Sequence, residues 1–90
     1  MAEYRLLIKP SAAKELEAIG TKRARQRIVS RIQSLASEPR PAGCEKLAGT
    51  TATFRVRQGH YRVIYLVDDA KHVIDVIKVG HRREVYRGTP

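Results

Sequence analysis

The chain predicts an α+β domain: two N-terminal helices packed on one face of a small antiparallel sheet, in the order β-α-α-β-β-β. Three observations carry that prediction. Apolar residues recur at helical spacing only between residues 12 and 37. They alternate, or run on without a break, at 4–9 and again from 53 to 79. Proline and glycine stand between these stretches. The 90 residues suit one domain spanning 1–90, and an apolar fraction of 42% suffices for one modest core.

The elements follow in order. Tyr4, Leu6 and Ile8 alternate with Arg5, Leu7 and Lys9 as a short strand that Pro10 stops. Ser11 is placed to cap a helix over Ala12–Ile19, and Gly20 to close it. Thr21 is the next cap, and Ala24, Ile28, Ile32, Leu35 and Ala36 line one face of a helix over Lys22–Ser37. Residues 38–43, with two prolines and a glycine, form a loop. Thr53–Arg57 alternates, with Phe54 and Val56 on one face and Arg55 and Arg57 on the other. After a turn at Gln58–His60, Tyr61–Val67 is apolar on both faces apart from Arg62 and reads as a central strand. A turn at residues 68–71 leads to a strand over His72–Val79, which Gly80 is expected to break before a basic tail. The sheet face opposite the helices is expected to stay partly open, with Arg55, Arg57 and Arg62 gathered on it.

Charge narrows the function. Eighteen Lys and Arg against nine Asp and Glu leave +9, and twelve of the eighteen are Arg. Arginine holds phosphate in planar, bidentate fashion, so the expected partners are nucleic acid, an anionic membrane or an acidic protein. The longest apolar run is far too short to cross a membrane, and no leader is legible, so no membrane-spanning segment is expected; of the three partner classes the membrane is set aside, and a cytoplasmic protein is expected. A single cysteine, Cys44, excludes an internal disulfide and a paired-cysteine metal site, and suits a reducing compartment.

Recognisable catalytic motifs are absent. His60, His72 and His81 lack ligand spacing, so no metal is expected, and the scattered glycines make no phosphate loop. No cofactor is implied. What remains is a set of Arg, His and Tyr. Arg23, Arg27 and Arg31 form an i, i+4, i+8 row with no acid between Lys22 and Ser37. That row is either a solvated helix face or a phosphate contact. Arg55, Arg57 and Arg62 lie on adjacent strands, and His81, Arg82, Arg83 and Tyr86 follow the last one. Such a group suits RNA phosphate chemistry: Arg stabilises extra negative charge in the transition state, Tyr stacks on a base, and His moves protons near neutral pH. Tyr61 and Tyr65, inside an apolar strand, read as core or rim residues.

These residues carry a resemblance. Lys46-Leu47-Ala48-Gly49, Phe54-Arg55-Val56-Arg57, Gly59-His60-Tyr61-Arg62-Val63-Ile64-Tyr65 and Val79-Gly80-His81-Arg82-Arg83-Glu84-Val85-Tyr86 resemble the RelE branch of the RelE/ParE toxin superfamily. The resemblance covers almost the whole chain. It implies the toxin of a type II toxin–antitoxin pair that enters the ribosomal A site and cuts mRNA by attack of a ribose 2′-OH on the adjacent phosphate. It further implies that Arg62 binds the scissile phosphate, that Arg82 stabilises the transition state or protonates the leaving oxygen, and that Tyr86 stacks on the mRNA base. Arg55 and Arg57 fall where RelE-type toxins have two lysines. Arginine stays protonated, so these two hold phosphate but do not serve as bases, and His81 becomes the proton-transfer candidate ahead of His60. The implied partners are mRNA, ribosomal RNA and a separate RelB-like antitoxin docked near the first two helices. A ParE-like toxin that binds DNA gyrase without nuclease chemistry is the alternative on the same scaffold.

Overall fold

The computed structural model describes residues 3–47, 49 and 52–81 of the chain. Arg82, Arg83 and Tyr86 lie outside the described residues. The α+β class and the two-helix layer are as the sequence predicts: β1 (Arg5–Ile8), α1 (Pro10–Glu17), α2 (Lys22–Ser34), β2 (Glu45–Lys46), β3 (Thr53–Gln58), β4 (Tyr61–Asp68) and β5 (Val73–His81). The strands form one sheet in the order β1-β5-β4-β3-β2. Three of its pairings are antiparallel, and β1 runs parallel to β5, so the sheet is mixed. The helical segment between β1 and the later strands is what allows a parallel pairing, which no hairpin can make.

Several boundaries differ from expectation for identifiable reasons. Helix α1 begins at Pro10, not after Ser11, with Lys9 as its N-cap residue. Proline's fixed φ and missing N–H suit the first helical position, so Pro10 ends the strand and starts the helix at once. The helix closes at Ala18, and Gly20 does not take up a left-handed conformation to cap it. Instead the Ile19 carbonyl accepts from Arg25 Nη1 of α2 at 2.8 Å. The Thr21 cap is as predicted, its Oγ1 accepting from the Ala24 N–H at 3.2 Å. Strand β5 is not broken at Gly80; it runs on to His81, and Gly80 pairs with Arg62. Gly59, with φ +62°, takes the first central position of the two-residue β3–β4 turn, the place where a type II′ hairpin needs glycine.

The core lies between the helices and one sheet face. Ala12 and Ile19 join Ile28, Ile32 and Leu35 against Phe54, Val56, Val63, Tyr65, Val67, Ile74, Val76 and Val79. Tyr65 is fully buried, and its hydroxyl donates to the Pro39 carbonyl at 2.8 Å, fastening the loop after α2 to the sheet. Burial pushes the Tyr65 hydroxyl well above its ordinary pKa. Arg40 lies over the Phe54 ring, 5.2 Å from its centroid, and closes the same corner. No helix among the described residues is long and apolar enough to cross a membrane.

Candidate nucleic-acid interface

Strand alternation distributes the basic residues. On β3 and β4 the pairs Val56–Val63 and Phe54–Tyr65 face the helices, so Arg57–Arg62 and Arg55–Ile64 lie on the other face. That face is not the open surface the sequence suggests. Arg62 retains only 5% exposure and Ile64 only 4%. Arg62 is placed by β4 with Arg57 opposite it on β3 and Gly80 opposite on β5. Its Nη1 donates to the neighbouring Tyr61 carbonyl at 3.3 Å, and no carboxylate among the described residues pairs with it. Arg57 is exposed. A buried arginine in register with a second one, with no ion pair to an acid among the described residues, is a costly arrangement that an anion would relieve.

Arg55 differs. Its side chain is only 16% exposed, and Nη2 lies 3.2 Å from Glu45 Oε1. That carboxylate comes from β2, a two-residue strand the sequence reading missed. Two residues carry no periodicity. The ion pair nevertheless satisfies part of the charge that would otherwise meet phosphate.

His81 falls on the helix side. It pairs with Tyr61, the two rings meeting edge to face at 5.8 Å, and its ring lies 6.2 Å from that of His60. The structure therefore brings His60, Tyr61 and His81 together at one end of the sheet and places them on the other side of β4 from the Arg57–Arg62 pair. The missed signal is the β4–β5 register: carrying the hairpin past Gly80 sets His81 against Tyr61.

The helical arginine row joins this group. Arg23, Arg27 and Arg31 line a shallow trough of about 640 Å³ with Gln26, Ser30, Ser34 and Gln58. A smaller hollow of about 220 Å³ continues from Arg23 and Arg27 past Gln58 and Gly59 to His60 and Tyr61. The Nε of Arg31 is buried and makes no hydrogen bond. The i, i+4, i+8 row thus faces the β3–β4 turn, and a chain of phosphates has a continuous basic path from mid-helix to the sheet end. No group of three or more His, Cys, Asp or Glu that would hold a metal occurs among the described residues.

Comparison with known proteins places the fold. Residues 6–86 match the family described as "ParE toxin of type II toxin-antitoxin system, parDE". Toxin RelE of Mycobacterium tuberculosis is 28% identical over 87 residues, covering 97% of this chain and 90% of that protein. The RelE–RelB complex of Pyrococcus horikoshii contains a chain 33% identical, with TM-score 0.79 over 89% of this chain and 96% of that one. The isolated RelE toxin of E. coli is 31% identical, with TM-score 0.76 over 93% and 92% of the two chains.

Proposed function

We propose that this chain, which belongs to the ParE toxin family of type II toxin–antitoxin systems within the RelE/ParE superfamily, acts as a RelE-type ribosome-dependent mRNA endonuclease. The observation that carries the reading is the Arg57–Arg62 pair, two arginines in register across β3 and β4 that form no ion pair with an acid among the described residues. A phosphodiester supplies the missing negative charge, and more of it once phosphorus becomes five-coordinate.

In the proposed reaction a ribose 2′-OH loses its proton and attacks the adjacent phosphorus. The bond to the 5′ oxygen breaks, leaving a 2′,3′-cyclic phosphate and a 5′-OH that takes up a proton. Arg62 and Arg57 hold the non-bridging oxygens, with Arg55 behind them on its Glu45 tether. Arg82 serves as the second transition-state arginine, Arg83 as a further phosphate contact, and Tyr86 as the stacking ring. An arginine does not give up its proton, so proton transfer falls to His81, held against Tyr61 beside His60. Arg23, Arg27 and Arg31 take ribosomal RNA phosphates along the trough.

The relatives solved as RelE–RelB complexes support a RelB-like antitoxin as a partner of this chain. A gyrase-binding toxin is the second reading, favoured by the description of the family matched. Purified protein, ribosomes programmed with mRNA in the A site and primer extension of the products test the proposal. Cutting on ribosomes and not on free mRNA is expected. No cutting, with gyrase supercoiling inhibited in parallel, overturns it.

A further inference from the structure

We infer that Glu15 is a positioning residue that stands in for a missing strand beside the end of β5, and so fixes the segment carrying Gly80 and His81. The inference begins with an imbalance of length. Strand β1 has four residues and β5 has nine. The last β1 partner on β5 is Val76, opposite Ile8. The ladder ends there, with the Lys9 N–H donating to the Val76 carbonyl at 2.9 Å. Beyond it β5 runs on through Ile77, Lys78, Val79, Gly80 and His81, and among the described residues β4 is the strand that pairs with this stretch.

A strand edge without a neighbouring strand presents backbone groups in need of partners. Glu15 of α1 meets that need. Its Oε1 accepts the Val79 N–H at 3.1 Å, and its Oε2 accepts from Lys78 Nζ at 3.0 Å. One carboxylate thus replaces a ladder hydrogen bond and is held in place by the preceding side chain. Val79 itself is fully buried. The next residue, Gly80, pairs with Arg62, and the one after, His81, packs on Tyr61. Holding Val79 therefore sets the register of both basic groups at once. Glu15 touches neither and acts through the backbone.

The consequence for catalysis rests on the endonuclease reading; the structural consequence does not. The test uses the full chain with Glu15→Leu, which removes the acceptor, and Glu15→Gln, which keeps an acceptor oxygen but loses the charge. Amide hydrogen exchange is read at Val79 and His81, and single-turnover cleavage on programmed ribosomes is read separately. Glu15→Leu should raise exchange at Val79 by about tenfold while amides of α2 stay protected. It should lower the maximal cleavage rate by about tenfold with the half-saturating ribosome concentration unchanged. Glu15→Gln should restore most of both. Unchanged exchange at Val79 in Glu15→Leu overturns the inference whatever the cleavage result. So does Glu15→Gln behaving like Leu, which would assign the effect to the Lys78 ion pair. Wild-type protein that never cuts, with the exchange pattern as expected, refutes the endonuclease proposal and leaves the Glu15 support standing.

Discussion

Replacing Arg62 by methionine separates what the buried guanidinium does for the fold from what it does for the reaction. Arg62 is 5% exposed, and its one hydrogen bond among the described residues is a 3.3 Å contact to the adjacent Tyr61 carbonyl. Arg57 lies directly across β3 with the same charge. Desolvating a cation costs several kcal/mol before compensation, and one long hydrogen bond from that cation to a carbonyl returns about 1.5 kcal/mol. Methionine fills similar volume without that cost. The Arg62→Met protein should therefore be as stable as wild type or up to about 2 kcal/mol more stable, as seen when apolar residues replace buried charges. For a domain of this size that is a rise in Tm of anywhere from zero to roughly 16 °C. Cleavage should fall about 10²- to 10³-fold, the usual loss of one transition-state charge contact. Thermal melting by circular dichroism gives the first quantity and single-turnover cleavage the second. A variant destabilised by more than about 1 kcal/mol would show that Arg62 is part of the scaffold. A folded variant that still cuts at the wild-type rate would sink the phosphate-binding assignment.

Three further outcomes are expected. Tyr65→Phe removes the 2.8 Å bond to the Pro39 carbonyl and should cost about 1 kcal/mol, a fall in Tm of about 4–8 °C. Because burial raises the Tyr65 pKa, its hydroxyl ionises more readily in the unfolded chain, so wild-type stability falls as pH rises above about 10. The Phe variant should lose stability less steeply there, which melting curves from pH 8 to 11 will show. Arg40 and then Tyr4 hold the Asp69 carboxyl below its ordinary pKa by hydrogen bonding, at 2.6 and 2.5 Å. The stability this contributes is present above the unfolded carboxylate value, about pH 4, and is lost as pH falls through the lower folded value. The gap in Tm between wild type and Asp69→Asn should accordingly close between neutral pH and pH 2. Finally, changing Arg23, Arg27 and Arg31 together to Gln should make ribosome binding less salt-dependent, lowering the slope of log K against log salt by about two to three. An unchanged slope in a filter-binding titration would return that row to the role of a solvated helix face.

Much of the fold was legible because it rests on local chemistry. Thr21 caps α2 as a threonine ahead of an apolar stripe should, and Gly59 sits where a two-residue hairpin demands it. The features that escaped are set by distant partners. Nothing in Tyr4–Lys9 says that β1 pairs in parallel with a strand almost seventy residues away. Glu45–Lys46 is too short to show a period and exists because β3 offers it an edge. Gly80 reads as a breaker, yet β4 holds it in the ladder opposite Arg62. The candidate site was legible in its residue types and only partly in its arrangement. Arg57 and Arg62 do pair in register, Arg55 is engaged by Glu45, and His81 joins His60 and Tyr61 instead of the strand arginines.

That last separation constrains the proposed chemistry. Tyr61 and Arg62 are neighbours in sequence, and strand alternation sends them to opposite faces. Among the described residues, the two basic groups, Arg57–Arg62 on one side and the Arg23–Arg27 trough with His60 and His81 on the other, share the end of the sheet at the β3–β4 turn. An RNA strand that uses both must pass around that end instead of lying flat on either face. The reacting phosphate then belongs beside Arg62, and the imidazole of His81 acts from the rim. Changes on the two sides should accordingly be separable. Losses at Arg57 and Arg62 should appear in the rate of cutting at saturation. Losses along the trough should appear in affinity and salt dependence. If Arg27→Gln and Arg57→Gln instead gave the same pattern in both readouts, the two surfaces would be acting as one and the path around the sheet end would be wrong.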